Sequence, residues 1–414
     1  MRFLVLSICL FGSMLLRAEE IQPRNGDEKT AEEMLKLVVN DNNAFALKLY
    51  SQLSADSKEN LFFSPISISS SFVIPYLGAD GATEEQIKQT LNFSLSQKEQ
   101  QTASYQLARS LTSYNRTSDT DFRLILANTM WLQTGLALLP DFIQHMPMED
   151  RERVRYTDFI HQPEVAREDI NRRVVERTYG KIVDIIPTGM ITSATRMMLV
   201  SSVYMKARWQ RVFNVVDTHP MPFFPNPDQT LSVPMMDQTA TFLIHQNDTC
   251  TILELPYSAV KSSALQLSMI ILLPNQRDGL AEVEASLSIE QLNNWIEQLQ
   301  LNRVQVRLPK FTLTQAVVLN QALSSMGMPI AFTPQASFAK MTKESLSIGK
   351  VMHKAFIAVD ESGTEAAAAT AISMNLTSVH TQPPVLFQAD HPFIYFIMEK
   401  STGTILFVGR LVQP

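Results

Sequence analysis

Ser347-Ile348-Gly349-Lys350 fits a Ser-x-x-Lys pattern, in which a lysine amine can serve a serine nucleophile as its base. No Lys-Thr-Gly or Ser-Asp-Asn element accompanies it, and four residues match by chance too easily to carry an acyl-transfer reading. The seven histidines, at 145, 161, 219, 245, 353, 380 and 391, are scattered and lack the spacing of metal ligands. No Gly-rich phosphate loop, zinc-binding helix motif or nucleophile elbow occurs. The sequence thus points to no catalytic constellation, metal or cofactor.

The informative stretch is Asp360 to Pro384. It opens Asp-Glu-Ser-Gly-Thr-Glu, continues through Ala366-Ala367-Ala368-Ala369-Thr370, then turns irregular before Pro383-Pro384. A long connection between two strand blocks is usually functional or disordered. Two conformations compete for the alanine run. Alanine is the best helix former, so an exposed helix is one. Read as a strand, Thr364, Ala366, Ala368, Thr370 and Ile372 share one face, all small or apolar, with Glu365 opposite. With no proline and a single charge between Gly363 and Ser373, such a strand could enter a sheet without losing a ladder hydrogen bond.

The rest of the chain must hold that stretch. The 414 residues are 45% hydrophobic and 18% charged, with 13 Gly and 21 Pro, which excludes disorder, collagen and coiled coil. Thirty-five basic and 41 acidic side chains give a net charge of −6, with no basic stripe for a nucleic-acid partner. Met1-Arg2 followed by the apolar run Phe3–Leu16 reads as a signal peptide over residues 1–18, too short to span a membrane. Its removal would take the charge to −8 and leave Cys250 as the only cysteine, so no intrachain disulfide is expected.

Val38, Phe45, Ala46, Leu49 and Leu53 recur near helical period. A second helix is expected from Ser67 to Gly78, kinked at Pro75. Thr83 to Gln86 reads as a capping box. Val304, Val306 and Leu308 alternate with polar residues as in a half-buried strand. Thr251–Leu255 and Leu265–Pro274 read as buried strands, and Phe393–Met398 with Ile405–Val408 as a hairpin. Without repeats, Gly/Ser linkers or βαβ alternation, residues 19–414 read as one large α+β domain.

Several ordered segments carry a family resemblance over nearly the whole mature chain. Asn60-Leu-Phe-Phe-Ser-Pro-Ile-Ser-Ile68, Leu199-Val-Ser-Ser-Val-Tyr-Met-Lys-Ala-Arg-Trp209, Val351 through the hinge to Thr370, Ala389-Asp-His-Pro-Phe393 and Leu406-Phe-Val-Gly-Arg410 resemble the serpins. The resemblance implies three β-sheets, about nine helices and an exposed reactive-centre loop over about 361–384. It implies an inhibitor and not an enzyme: a target protease attacks the loop, forms an acyl-enzyme, and is dragged away as the hinge inserts into the large sheet. The partner would be a serine protease, or alternatively a papain-like cysteine protease, bound by a monomer that is exported (to the envelope or periplasm in a bacterium). A non-inhibitory carrier, storage or chaperone serpin is the rival reading.

By the same resemblance the hinge is Glu361, Gly363, Thr364, Glu365, Ala366, Ala367, Ala368, Ala369 and Thr370. Sheet opening would be governed by Ser64, Ser67, Ser201, His353 and Trp209. Ser201 stands where asparagine is usual, and Met205 and Ala207 where Phe and Gly are common. About sixteen residues beyond Glu361, the cut would fall between Thr377 and Ser378, with Leu376 as the alternative. These side chains suit an elastase- or chymotrypsin-like pocket. Sequons lie at Asn92, Asn115, Asn247 and Asn375, and the last, beside the cut, is expected to be unmodified.

Overall fold

The computed structural model describes residues 29–55, 57–113, 122–259, 265–364 and 382–414. The proposed signal peptide, residues 1–18, therefore lies outside the described residues. The helices are α1 (Ala31–Ala55), α2 (Pro65–Ser71), α3 (Val73–Gly78), α4 (Gly81–Thr90), α5 (Gln97–Thr112), α6 (Pro140–His145), α7 (Met148–Arg151), α8 (Pro163–Arg177), α9 (Leu280–Ser286), α10 (Ile289–Glu297) and α11 (Asn320–Ser325). The strands are β1 (Leu61–Phe63), β2 (Phe122–Gln133), β3 (Val154–Thr157), β4 (Met197–Arg208), β5 (His219–Asn226), β6 (Gln229–Gln246), β7 (Cys250–Pro256), β8 (Leu267–Pro274), β9 (Gln300–Pro309), β10 (Phe311–Val318), β11 (Lys350–Val359), β12 (Gly363–Thr364), β13 (Val385–Gln388), β14 (Phe393–Glu399) and β15 (Thr404–Leu411). The α+β class expected from the sequence is the one observed.

Local rules explain several of these boundaries. The apolar face of α1 buries Phe45, Ala46 and Leu49 completely, and each large side chain so buried contributes roughly 1.5–3 kcal/mol. The expected kink at Pro75 is a full break. The helix stops at Ser71 and restarts at Val73, because the Pro75 ring crowds the carbonyl four residues back. The Thr83–Gln86 capping box does not form. Asp80 precedes the helix, and Thr83 Oγ1 and Gln86 Oε1 instead accept from the Ser337 and Ile330 amides, tying α4 to a distant turn. The capping box lies at α5, where Glu99 Oε2 accepts from Ser96 N at 3.0 Å and Ser96 Oγ caps the Glu99 amide.

Two hydrogen-bonded sheets stand where three were expected. One has nine strands, along the path β1-β15-β14-β8-β7-β6-β9-β13, with β5 added to β6. The long β6 is the reason: it pairs with β5 over residues 229–235, with β9 over 235–244 and with β7 over 243–246, so two sheets share one strand. The second sheet has six strands in the order β10-β11-β12-β4-β2-β3. Helix α8 covers the outer face of this sheet, with Ile170 and Val174 in one buried cluster with Met198 and Val200 of β4 and Met352 of β11. Helix α2 approaches its opposite face. The six-stranded sheet thus lies between α2 and α8, and its middle strands carry the site.

Candidate functional site

Strands β4 and β11 are parallel neighbours over Met198–Tyr204 and Lys350–Phe356. Beyond Phe356 they diverge, and β12 enters between them. Thr364 pairs with Ala207 of β4 and Val359 of β11, antiparallel to both. The site is this seam, closed along most of its length and occupied by Gly363 and Thr364 at one end.

A buried polar chain crosses the closed part. His353 and Ser201 are register partners, with Nδ1 and Oγ 3.0 Å apart. The Ser64 amide donates to His353 Nε2 at 3.1 Å. That fixes the ring as an acceptor at Nε2 and a donor at Nδ1. The direction of every following bond is then set. His353 donates to Ser201, Ser201 donates to Ser67 Oγ at 2.9 Å, and Ser67 donates to Asn128 Oδ1 at 2.7 Å. Asn128 Nδ2 closes the chain on Ser67 O and Ser70 Oγ. Burial, partly opposed by Ser201, pushes the His353 pKa down to about 3, so the imidazole is neutral at physiological pH. Ser64 also caps α2 by accepting from the Ser67 amide, so the helix start and the seam share one set of hydrogen bonds.

The other end of the seam is built around Trp209 and Tyr257, stacked with ring centroids 4.5 Å apart. Trp209 Nε1 donates to Asp360 O at 3.0 Å, and its amide donates to Ser362 O at 2.9 Å. Tyr257 Oη and Thr364 Oγ1 are 2.7 Å apart and both are buried. Burial pushes the Tyr257 phenol well above its ordinary value, so it keeps its proton. Glu361 accepts from Thr218 Oγ1 at 2.8 Å and pairs with Lys310 Nζ at 2.8 Å. Burial alone would raise the Glu361 carboxyl. The bonds from Lys310, its own backbone N–H and Thr218 outweigh that and hold it below the usual range. Gly363 approaches β4 so closely that a Cβ there would lie 2.1 Å from Ala207 O, which only glycine avoids.

Of the residues singled out in the sequence, Ser64, Ser67, Ser201 and His353 meet in one buried chain, while Trp209, Glu361, Gly363 and Thr364 meet at the hinge end. Glu365, Ala366, Ala367, Ala368, Ala369, Thr370, Leu376, Thr377 and Ser378 lie outside the described residues. Sequence reasoning missed Asn128, Tyr257 and Lys310. Asn128 left a signal: one amide inside the apolar run Leu124–Trp131. It pairs with Ser201 in register and supplies an amide on the strand beside it. Tyr257 and Lys310 left none, because their partners arrive from distant strands.

Opening the β4–β11 seam would break one parallel ladder. A strand extending β12 into the gap would make two antiparallel ladders, each slightly more favourable per residue. The arrangement can therefore hold a sheet shut and accept an added strand. Among the described residues no cluster of His, Cys, Asp and Glu could hold a metal ion.

Comparison with known proteins gives a consistent result. Residues 40–414 match the family model described as Serpin (serine protease inhibitor). A leukocyte elastase inhibitor of Bos taurus is 35% identical over 383 residues, covering 90% of this chain and 98% of the relative. An uncharacterized serpin-like protein of Thermococcus kodakarensis is 36% identical over 380 residues, covering 92% and 86%. Among solved structures, human thyroxine-binding globulin superposes with a TM-score of 0.80 at 29% identity, over 92% of this chain and 99% of that one.

Proposed function

The chain belongs to the serpin family, and on that premise we propose that it is an exported inhibitor that traps its target protease while being cleaved. The observation that carries the reading is Thr364. The first hinge residues are already hydrogen-bonded between β11 and β4, at the mouth of the seam that the following residues would enter. The side chain at the entry is small and buried, and the alanine run behind it carries one charge, at Glu365. A bulky or charged inward face would have to desolvate on entry, and the face shared by Thr364, Ala366, Ala368 and Thr370 carries no charge.

In this reading the protease serine attacks the Thr377 carbonyl. The Thr377–Ser378 bond breaks, the Ser378 amine leaves with a proton, and Thr377 is held as an ester on the protease. Insertion of 365–377 between β4 and β11 then carries the ester-linked protease along the sheet before water can reach the ester. Thr377 and Leu376 suit elastase- and chymotrypsin-like pockets, and the name of the bovine relative agrees with that choice. The leader over 1–18 supports export, and no helix among the described residues is long and apolar enough to cross a membrane.

The test is incubation of the mature chain with elastase, chymotrypsin and a papain-like protease. A covalent complex that survives SDS, with the ester mapped to Thr377 or Leu376 by mass spectrometry, is the expected result. Clean cleavage in the loop with no complex and no gain in thermal stability would overturn inhibition and favour a carrier role. An ester outside 374–378, or a glycan on Asn375 in active inhibitor, would overturn the placement of the bait.

A further inference from the structure

Three arginines converge beside α8 with too little to neutralise them. Arg173 and Arg177 lie one turn apart on α8, and Arg155 lies on β3, the strand at the sheet edge. The Nε of Arg155 and that of Arg173 are both buried and have no hydrogen-bond partner among the described residues. Burial first, and the charges of Arg155 and Arg177 after it, press the Arg173 guanidinium below its ordinary value, against weaker support from Glu176 and Asp169. Like charges in a partly desolvated place repel, and an N–H sealed from water without an acceptor costs free energy.

A cavity of about 80 Å³ opens at the same place, between α8 and the outer edge of the sheet. Arg153, Arg173 and Arg177 line it, against one carboxylate, Glu152. Its floor is the β2 backbone from Ile125 to Thr129, including Asn128 of the buried polar chain. Arg153 already spends one nitrogen on Asp150 and one on Ser70 O, so it is fixed in place rather than free to swing away. Guanidinium groups offer forked donors that match tetrahedral oxyanions, and several around one small cavity are the arrangement such an anion requires.

We propose that this groove binds a tetrahedral oxyanion, either phosphate or a sulfate ester, and that the bound anion fastens α8 to β2 and to Arg153. It would accept from the orphaned Arg173 N–H and neutralise the cluster. A mechanical consequence rests on the inhibitory reading above. Helix α8 shares one buried cluster with Met198 and Val200 of β4 and Met352 of β11, the two strands that must part, so an anion that ties it down slows loop insertion.

The binding arm needs no protease and is tested by itself. Thermal midpoints are compared in sodium phosphate, sodium sulfate and sodium chloride at matched ionic strength, which removes the general screening effect. Phosphate or sulfate is expected to raise the midpoint by several degrees more than chloride, following saturation binding. Arg173→Gln is expected to remove most of that response and Arg155→Gln, which changes the charge beside the cavity, a smaller part, while each leaves the chloride midpoint unchanged or higher, because each relieves repulsion. Arg172→Gln, whose partner is Asp169 on the exposed face, should keep it. If either cluster variant folds poorly, the exposed Arg177→Gln serves in its place.

A sulfated tetrasaccharide separates the sources. Saturation at tenfold or more below inorganic sulfate assigns a sulfated polymer, and equal potency per sulfate group assigns the free ion. No response beyond chloride in the unmodified chain, or an undiminished response in the cluster variants, overturns the site. Normal anion binding with no change in the rate of complex formation overturns only the link to insertion.

Discussion

Ser201 and His353 are register partners on neighbouring parallel strands, and the 3.0 Å bond between their side chains lies across the seam that an added strand would have to part. The bond is one link of a chain in which every donor and acceptor has a fixed role, because a single backbone amide, that of Ser64, decides the tautomer of the histidine. Opening the seam therefore costs more than the ladder. It orphans side chains that are buried on both strands.

Ser201→Ala would leave the His353 Nδ1–H and the Ser67 hydroxyl each short of a partner. A loss of about 1–3 kcal/mol is expected in urea unfolding. Amide exchange in β4 and β11 should speed up more than exchange in β14 or β15. Ser202→Ala is the control, since among the described residues that hydroxyl bonds the Ala127 carbonyl alone, and it should cost less. Equal effects from the two variants would refute the chain as a lock on the seam.

The same histidine gives a pH dependence. Its folded pKa is about 3 and its ordinary value 6.5. The unfolded chain therefore binds a proton that the folded chain refuses. Stability is complete above 6.5 and falls as pH drops below it, by at most about 1.4 kcal/mol per pH unit. Glu361 and Glu399 are lowered carboxylates, so their contributions are lost only below their ordinary value of 4.5. Asp41 and Asp360, raised by burial, act in the opposite sense, so unfolding at pH 7.5, 6.0 and 5.0 is compared between the unmodified chain and a histidine variant. His353→Gln should flatten that slope, and an unchanged slope would assign it elsewhere.

Thr364 is enclosed by Val359, Ala207 and the Tyr257 hydroxyl. Thr364→Arg would force a charge into that space. The variant is expected to be cleaved by the target at a normal rate yet form no stable complex. In the unmodified chain, cleavage of the loop should raise the thermal midpoint by tens of degrees, as several kcal/mol of extra sheet would. Identical midpoints before and after cleavage would sink the insertion mechanism.

No lysine or arginine occurs between Lys354 and Lys400. A pocket with a buried carboxylate, as in trypsin-like proteases, would find no cation on the loop to pair with. Trypsin, thrombin and plasmin should therefore form no covalent complex at concentrations where elastase does. A trypsin adduct detected on a gel would contradict the assigned specificity.

How much of this was legible beforehand follows from the range of each interaction. The α+β class, the buried strands over Thr251–Leu255 and Leu265–Pro274 and the terminal hairpin all depend on periodicity or on residue type within a short window. They can be read without neighbours. The break before Pro75 was legible as a disturbance because the ring acts only four residues back, though its outcome as two helices was not.

What the tertiary structure decided depends on groups brought from far apart. Thr83 and Gln86 satisfy a local capping rule on paper, yet the Ser337 and Ile330 amides claim both side chains in the folded chain. Asn128 could be seen as an odd amide in an apolar strand, but its link to Ser201 requires β2 and β4 to pair in one register. The tautomer of His353 is set by an amide 289 residues away, and Thr364 is held by a tyrosine hydroxyl 107 residues away. A side chain's intrinsic preference is written in its own stretch of sequence. Its partner is chosen by which strands share a seam, and that is settled only when the whole sheet is assembled.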